Sequence, residues 1–401
     1  MARASLNLAT IQARLGKTDE AMAGFTKSIE WFSELLVSNS GGATIYRERL
    51  IKARSSLASL VVKNGHYEKV VSLPDPSEME ASFPAVDSPG TIAGFYLSKA
   101  EALRHLGRID EAKHHLMKVF DLVDGAVTNP IGEAAKATQL SRAHFERGCC
   151  RLLEHDLESS AADHIQAVEI LLKLLEQNPA SQTYRYELGR NYSALGETLA
   201  ESGLWTDAGR AQTEAVKYLK ELVEASPEVV RFKITLARSY AVVAGIQRDR
   251  DASKSAMEYQ KGAIKVFEDC LSRPGVTDVH RAELAKERGV YAELFSETEE
   301  PVRGIEQAQK GIRELEVILA KQAGGVLKKK NQRRLAHLYA TLGDVAERAD
   351  QREEAMNGFR RAIDLLKLLA DSDHSEAGID KELDRCKERL AKLESPAGEQ
   401  R

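Results

Sequence analysis

The sequence predicts an all-α protein, a right-handed α-solenoid of about eight helix pairs closed by a C-terminal capping helix. Three observations carry that expectation. Small residues recur at a fixed interval: Ala112, Ser160, Ala208, Ala256 and Gly304 are 48 residues apart, and Ala21, Val70 and Ala355 continue the series at looser intervals. A second column, twelve residues before each of these anchors, is small throughout: Ala9, Ala58, Ala100, Gly148, Gly196, Ala244, Ala292 and Gly343. Apolar columns keep the same register, with Leu50, Ile92, Leu140, Leu188, Leu236, Leu284 and Leu335 twenty residues before the anchors. Ile29, Phe120, Val168, Val216, Ile264, Ile312 and Ile363 stand eight residues after them. Self-similarity at a fixed period marks a stacked architecture in which each unit buries its apolar face only against its neighbours. A small residue on each helix lets two helices approach within roughly 8–10 Å, while larger side chains one turn away fill the flanks.

Taken in order, residues 1–73 hold two units. The first pairs a helix around Ala9 with one carrying Ala21 and Phe25. The second loses its second helix after 67–73, because Pro74, Pro76, Pro84 and Pro89 follow, and a proline in a helix interior removes a hydrogen bond and clashes with the preceding turn. Residues 74–89 are therefore read as a Pro-rich irregular connection, with a hinge or a self-contacting loop as the alternative. Residues 90–373 hold six units of about 48 residues. Gly16, Gly65, Gly107 and Gly203 each sit five residues before an anchor, where the chain must reverse. Asn129-Pro130, Asn178-Pro179 and Ser226-Pro227 break the chain between units. A unit this long makes both helices about 20 residues, as in 181–202 followed by 205–225. Residues 374–401 form a capping helix over 376–394 and a tail. Ile379, Leu383, Leu390 and Ala391 fall on first-helix columns, while Lys381, Asp384, Arg385, Glu388 and Lys392 supply the polar outer side that the end of a solenoid needs. The first helix starts too late to include its own apolar residue of the twenty-before column and has no polar cap. The chain is therefore expected to be trimmed or to be a piece of a longer protein.

Local motifs name the repeat type. Tyr192-x2-Leu195-Gly196 and Tyr339-x2-Leu342-Gly343 share an aromatic-x2-Leu-Gly spacing, and Ala21-x3-Phe25 and Ala355-x3-Phe359 share an Ala-x3-Phe spacing. These resemble the first and second helices of tetratricopeptide repeats, so the eight pairs are read as tetratricopeptide-like (TPR-like) units, longer than the family's usual length of about 34 residues. The wording Asn178-Pro179-Ala180-Ser181-Gln182-Thr183-Tyr184-Arg185, loosely repeated at 227–233 and at Tyr46-Arg47, is similar to the long-unit repeat region found behind some bacterial serine/threonine kinase domains. That resemblance covers nearly the whole chain and implies a bacterial protein. No kinase part is present in the sequence, which has no glycine-rich loop with a paired lysine, no His-Arg-Asp and no Asp-Phe-Gly.

Composition narrows the function. Hydrophobic residues make up 43%, charged residues 29%, and the net charge is -4. That balance argues against a nucleic-acid partner, which calls for a clustered basic excess. The basic run Lys328-Lys329-Lys330 with Arg333-Arg334 is short and reads as a solvated helix start. No apolar run reaches the roughly 18–20 residues a membrane span needs, and Met1 to Gly16 lack the charged region, apolar core and small-residue cleavage site of a signal peptide. Cys149, Cys150, Cys270 and Cys386 form no disulfide framework, so a reducing, cytoplasmic location is expected.

Catalytic chemistry leaves no trace in the sequence: there is no Walker loop, GxSxG, HExxH or GxGxxG. His114-His115 are adjacent and point about 100° apart on a helix, and His144, His155 and His164 are irregularly spaced, so they read as structural histidines, not metal ligands. The expectation is a non-enzyme with no cofactor and no metal. One column invites a binding role. Lys52, Arg142, Arg190, Arg238, Lys286 and His337 stand eighteen residues before their anchors, turned about 200° from the packed column and so away from the helix partner. In the tetratricopeptide family that side of the first helix lines a concave groove, and the same column supplies cations that clamp a peptide carboxylate. The resemblance implies that role here. The family's clamp also wants Asn or Arg four residues after the cation, where Ala194, Val242 and Val290 stand. A general groove for an acidic or mixed-charge segment is therefore expected, not a strict clamp. The competing reading is a ladder of surface ion pairs, each worth little, with Glu101, Glu197, Glu293 and Asp344 seven residues further on. Two functions follow: a non-catalytic protein or peptide-binding scaffold using the concave face, or a regulatory or oligomerisation tail of a larger kinase-type signalling protein whose catalytic domain lies outside this chain. Self-association is compatible with both.

Overall fold

The computed structural model describes residues 1–38, 43–75, 89–124, 130–372 and 378–395. All regular elements among these residues are α-helices, arranged as eight antiparallel pairs and one final helix. They group into two compact units, Met1–Ser226 and Pro227–Arg401. The N-terminal unit pairs α1 (Ala2–Arg14) with α2 (Thr18–Ser38), α3 (Ala43–Lys63) with α4 (Tyr67–Val71), and α5 (Pro89–His105) with α6 (Ile109–Asp124). It ends with α7 (Pro130–Leu153) and α8 (Leu157–Gln177), then α9 (Gln182–Glu201) and α10 (Trp205–Ala225). The C-terminal unit pairs α11 (Val230–Asp249) with α12 (Ser253–Cys270), α13 (Asp278–Ser296) with α14 (Pro301–Lys321), and α15 (Val326–Arg348) with α16 (Arg352–Ser372), followed by α17 (Ile379–Glu394).

The small columns are where the two helices of a pair interlock. Gly148, Gly196 and Gly343 each receive the side chain that stands four residues after the next anchor. A Cβ at these glycines would lie 2.8 Å from the His164 ring, 2.6 Å from Gln212 Nε2 and 2.7 Å from the Phe359 ring. Ala112, Ser160, Ala208, Ala256 and Ala355 are fully buried at the opposite contact. Only small side chains let the backbones come that close, and a fully buried apolar side chain such as Phe359 contributes roughly 1.5–3 kcal/mol.

Reversal between helices is equally regular. Gly16, Gly65, Gly107 and Gly203 have φ between 74° and 76°, the left-handed conformation that costs glycine nothing. The next residue's N–H then donates to the carbonyl five residues back, as from Lys17 to Gln12 and from Leu204 to Leu199, both at 2.9 Å. His155, Asp251 and Asp350 take the same turn with φ of 56–59°. Of the Pro-rich connection, residues 76–88 lie outside the described part. What is described shows α4 only five residues long, so α3 packs directly on α5.

First helices also touch their counterparts in the next pair, α5 on α7 and α7 on α9, and α13 on α15, whereas no contact of comparable size joins successive second helices. Within each unit the first helices therefore crowd together and form one wall, on which the cation column lies. At the C-terminus, α17 seats Ile379, Leu383 and Cys386 in the core beside Leu366 and Leu369 of α16 and turns its charged side outward. It is the capping helix.

Candidate functional site

On the first-helix wall of the N-terminal unit, charged side chains from three helices converge. Arg104 on α5 donates through Nε to Glu146 Oε2 on α7 at 2.9 Å. Glu146 Oε1 lies 3.8 Å from Arg190 Nη2 on α9, so one buried carboxylate bridges two arginines. Arg190 also donates to Glu187 at 3.0 Å, and its guanidinium carbon lies over Phe145, 4.2 Å from the ring centroid, a cation–π contact that holds the head group in place. Burial opposes their charge, yet the surrounding carboxylates raise the pKa of Arg104 and Arg190, with Glu146 and Glu187 the leading causes. Burial, with the Glu146 carboxylate beside it, pushes the Glu101 carboxyl up against the pull of Arg190, Arg104 and Arg142. Burial also raises the nearby Cys149 thiol to about 12, which leaves it protonated and unreactive.

The cations of the predicted column do not share one environment. Lys52 is exposed on α3. Arg142 is half-buried, close enough to Glu101 to act on its charge, and neither side chain hydrogen-bonds or ion-pairs with another described residue. In the C-terminal unit, Arg238 on α11 forms a bidentate pair with Glu283 on α13 at 2.9–3.0 Å. Lys286 reaches Glu287 of its own helix at 3.3 Å. His337 on α15 sits between two acids, with Nε2 2.9 Å from Glu293 on α13 and Nδ1 3.0 Å from Glu382 on α17. Those two hydrogen bonds raise its pKa to about 10, so it is an imidazolium at neutral pH. The ladder continues beyond the column: Asp344 and Glu347 of α15 take Arg385 and Arg389 of α17 at 2.7 and 2.6 Å.

Glu293 belongs to the acid column that the sequence singles out as a counter-charge. The larger share of partners, Glu146, Glu187, Glu283 and Glu382, escaped sequence reasoning. A signal existed: Glu187, Glu283 and Glu382 occupy one further column, twenty-one residues before their anchors when the 48-residue step is carried past Ala355. Two of these, Glu283 and Glu382, pair with the cation of the preceding first helix.

Two other polar clusters are built into the helix pairs. Asp163 on α8 is buried and accepts from Arg147 and Arg151 of α7 at 2.7 Å each, with His144 Nδ1 at 2.8 Å. Burial resists the charge, but these partners hold the carboxyl below its usual range. His164 is fully enclosed against Gly148, and burial lowers its pKa to about 4, so it is neutral. Among the described residues no three His, Cys, Asp or Glu side chains are grouped to hold a metal ion, and no helix is long and apolar enough to cross a membrane.

The tetratricopeptide repeat family profile matches residues 2–34 and 93–122, which fall on α1 with most of α2 and on α5 with α6. The chain therefore carries tetratricopeptide repeats. No curated protein matches it in sequence. Among solved structures, the fold is similar to a Rap protein complexed with competence and sporulation factor, with TM-score 0.53, 14% identity, and 98% of this chain and 99% of that chain covered. It is also similar to a signal transduction ATPase with numerous domains from Pyrococcus horikoshii that has a tetratricopeptide repeat sensor. There the TM-score is 0.51 and the identity 14%, over 95% of this chain and 52% of that chain. The chain thus spans about half the length of that ATPase. At such identities the likeness establishes the fold.

Proposed function

We propose that the chain is a non-catalytic scaffold that holds a peptide, or a segment of another protein, against the first-helix wall of the Met1–Ser226 unit. One observation carries this reading. The acid eleven residues before one anchor and the cation eighteen before the next form a closed pair in the C-terminal unit, Glu293 with His337 at 2.9 Å. The equivalent groups of the N-terminal unit, Glu101 and Arg142, make no such bond among the described residues. A half-buried carboxyl and a half-buried guanidinium, neither bonded to another described residue, are the groups an incoming segment can satisfy, Arg142 taking a carboxylate or a backbone carbonyl and Glu101 a backbone N–H. Arg104, Glu146 and Arg190 act as positioning residues, and Lys52 extends the positive row toward α3. An acidic or mixed-charge segment fits that row. The Rap protein of similar fold and nearly equal length is complexed with competence and sporulation factor, which supports a ligand on this architecture.

A second reading, a regulatory module of a larger signalling protein, is supported by the similarity to a repeat sensor that is one part of a longer ATPase chain. A kinase as that larger protein rests on the repeat wording around Asn178-Pro179 alone. Peptide display against the full chain, followed by fluorescence anisotropy, tests the scaffold. Selected peptides should bind about tenfold more weakly to Arg142→Ala, the worth of one charge-assisted hydrogen bond, while the thermal melt stays put. Peptides indifferent to both Arg142→Ala and Glu101→Gln would refute the assignment of the site.

A further inference from the structure

α1 and the residue that caps it carry an apolar stripe that nothing in the described residues covers: Leu8, Ile11 and Leu15 are 57%, 54% and 68% exposed. They lie within about 60° of one another on the helix, on the side away from the buried Ala2, Leu6 and Ala9. The repeat register says what this surface is. Ile11 stands ten residues before its anchor, and its equivalents Ala102, Thr198, Leu294 and Val345 are all 2% exposed or less. Leu8 stands thirteen before, and its equivalents Leu195 and Leu342 are buried too. In those pairs the second helix of the preceding pair provides the cover: Ser160 of α8 hydrogen-bonds Thr198 of α9 at 3.1 Å, and Gly304 of α14 lies against Val345. The α1 stripe is thus a surface of the kind that stacks one pair on the next elsewhere in the chain, exposed among the described residues.

Charge specifies the occupant. α1 contains no acid, and Arg3, Asn7 and Arg14 line one edge of the stripe. Both arginines are exposed and form no ion pair with another described residue. They are eleven residues apart, about 16 Å along the helix. A second copy of α1 would set arginine against arginine. We propose that the α1 stripe docks an amphipathic helix of a partner protein, apolar on one face and with acidic residues along the edge that meets Arg3 and Arg14. This is recognition of one amphipathic helix by the apolar face of another, on a surface separate from the Glu101–Arg142 wall.

The probe is a labelled peptide of the α8 sequence, Leu157–Gln177, which covers the equivalent face of α9 and carries Glu158 and Glu169 eleven residues apart. Its binding to the full chain is followed by fluorescence anisotropy. The expected result is micromolar binding that weakens at least about tenfold in Leu8→Asp/Ile11→Asp. It should also weaken severalfold in Arg3→Glu/Arg14→Glu or at high ionic strength, and stay unchanged in Arg142→Ala. Because the substituted positions are exposed, the melts of the variants should match the parent. A probe that does not bind, or that binds the Leu8→Asp/Ile11→Asp variant equally well, overturns the proposal. So does a dimer in sedimentation that Leu8→Asp/Ile11→Asp disperses, since it would place a second copy on the stripe.

Discussion

Gly343→Ala adds one methyl group at the closest approach of α15 and α16. Its Cβ would stand 2.7, 2.8 and 2.9 Å from three carbons of the Phe359 ring, where carbon–carbon contacts settle at about 3.5–4.0 Å. The ring must therefore retreat by nearly 1 Å, and it is fully buried. Separating the helices would relieve the ring only by opening the close approach at Gly358 on the opposite helix, where a Cβ would lie 2.8 Å from the Gly343 backbone nitrogen. Overpacking in a closed core costs about 1–3 kcal/mol, and three simultaneous ring contacts place this case at the upper end. Alanine returns about 1 kcal/mol through helix propensity. The net loss is then about 2 kcal/mol, or about 4–8 °C in the melting temperature of a unit this size. Thermal unfolding by circular dichroism measures it. Phe359→Leu should cost less in the Gly343→Ala background than in the parent, because the two side chains compete for one space, and a double-mutant cycle reads that coupling. A Gly343→Ala protein as stable as the parent, or additive losses in the cycle, would refute the reasoning that this column sets the interhelical distance.

His337 and Asp163 titrate in opposite senses. The folded-state pKa of His337, about 10, lies above its unfolded value, so its contribution is complete below about pH 6.5 and is lost as pH rises through 10. Hydrogen exchange of α17 amides should separate the parent from His337→Gln at pH 6 and bring the two together near about pH 10. Equal separation at both values would place the link between α13, α15 and α17 elsewhere. Asp163 has a depressed pKa, so its contribution is present above about pH 4 and fades as pH falls further. Asp163→Ala leaves Arg147, Arg151 and His144 without their shared acceptor and should cost about 3 kcal/mol or more in a urea melt. A loss under about 1 kcal/mol would show that water replaces the carboxylate.

Much of the fold was legible because its determinants are small and repeated. Ala58, Gly148 and Ala292 announce where helices touch, since methyl and hydrogen are the only side chains that fit, and their spacing transmits one packing solution from pair to pair. The place of each turn was legible for the same reason. Its conformation was not: His155, Asp251 and Asp350 adopt positive φ although no glycine marks them, because the two packed helices on either side fix the reversal wherever it falls. The register likewise shows that α1 presents Ile11 and Leu8 at positions buried in other pairs, but only the built structure shows them uncovered.

The cation column marks the boundary between the two sources. Sequence by itself determined that Arg142, Arg190, Arg238 and His337 share a helical face, because a column in register is a statement about rotation around one axis. It did not determine what each of them does. Arg190 lies over Phe145 and joins Glu146, Arg238 grips Glu283, and His337 is held between Glu293 and Glu382, whereas Arg142 bonds no other described residue. An arginine or glutamate reaches across several ångströms of solvent-facing space on flexible bonds. Its partner depends on the offset of neighbouring helices and on which opposite charge lies nearest, and Coulomb attraction at close range resolves differences that a repeat register of whole residues does not contain.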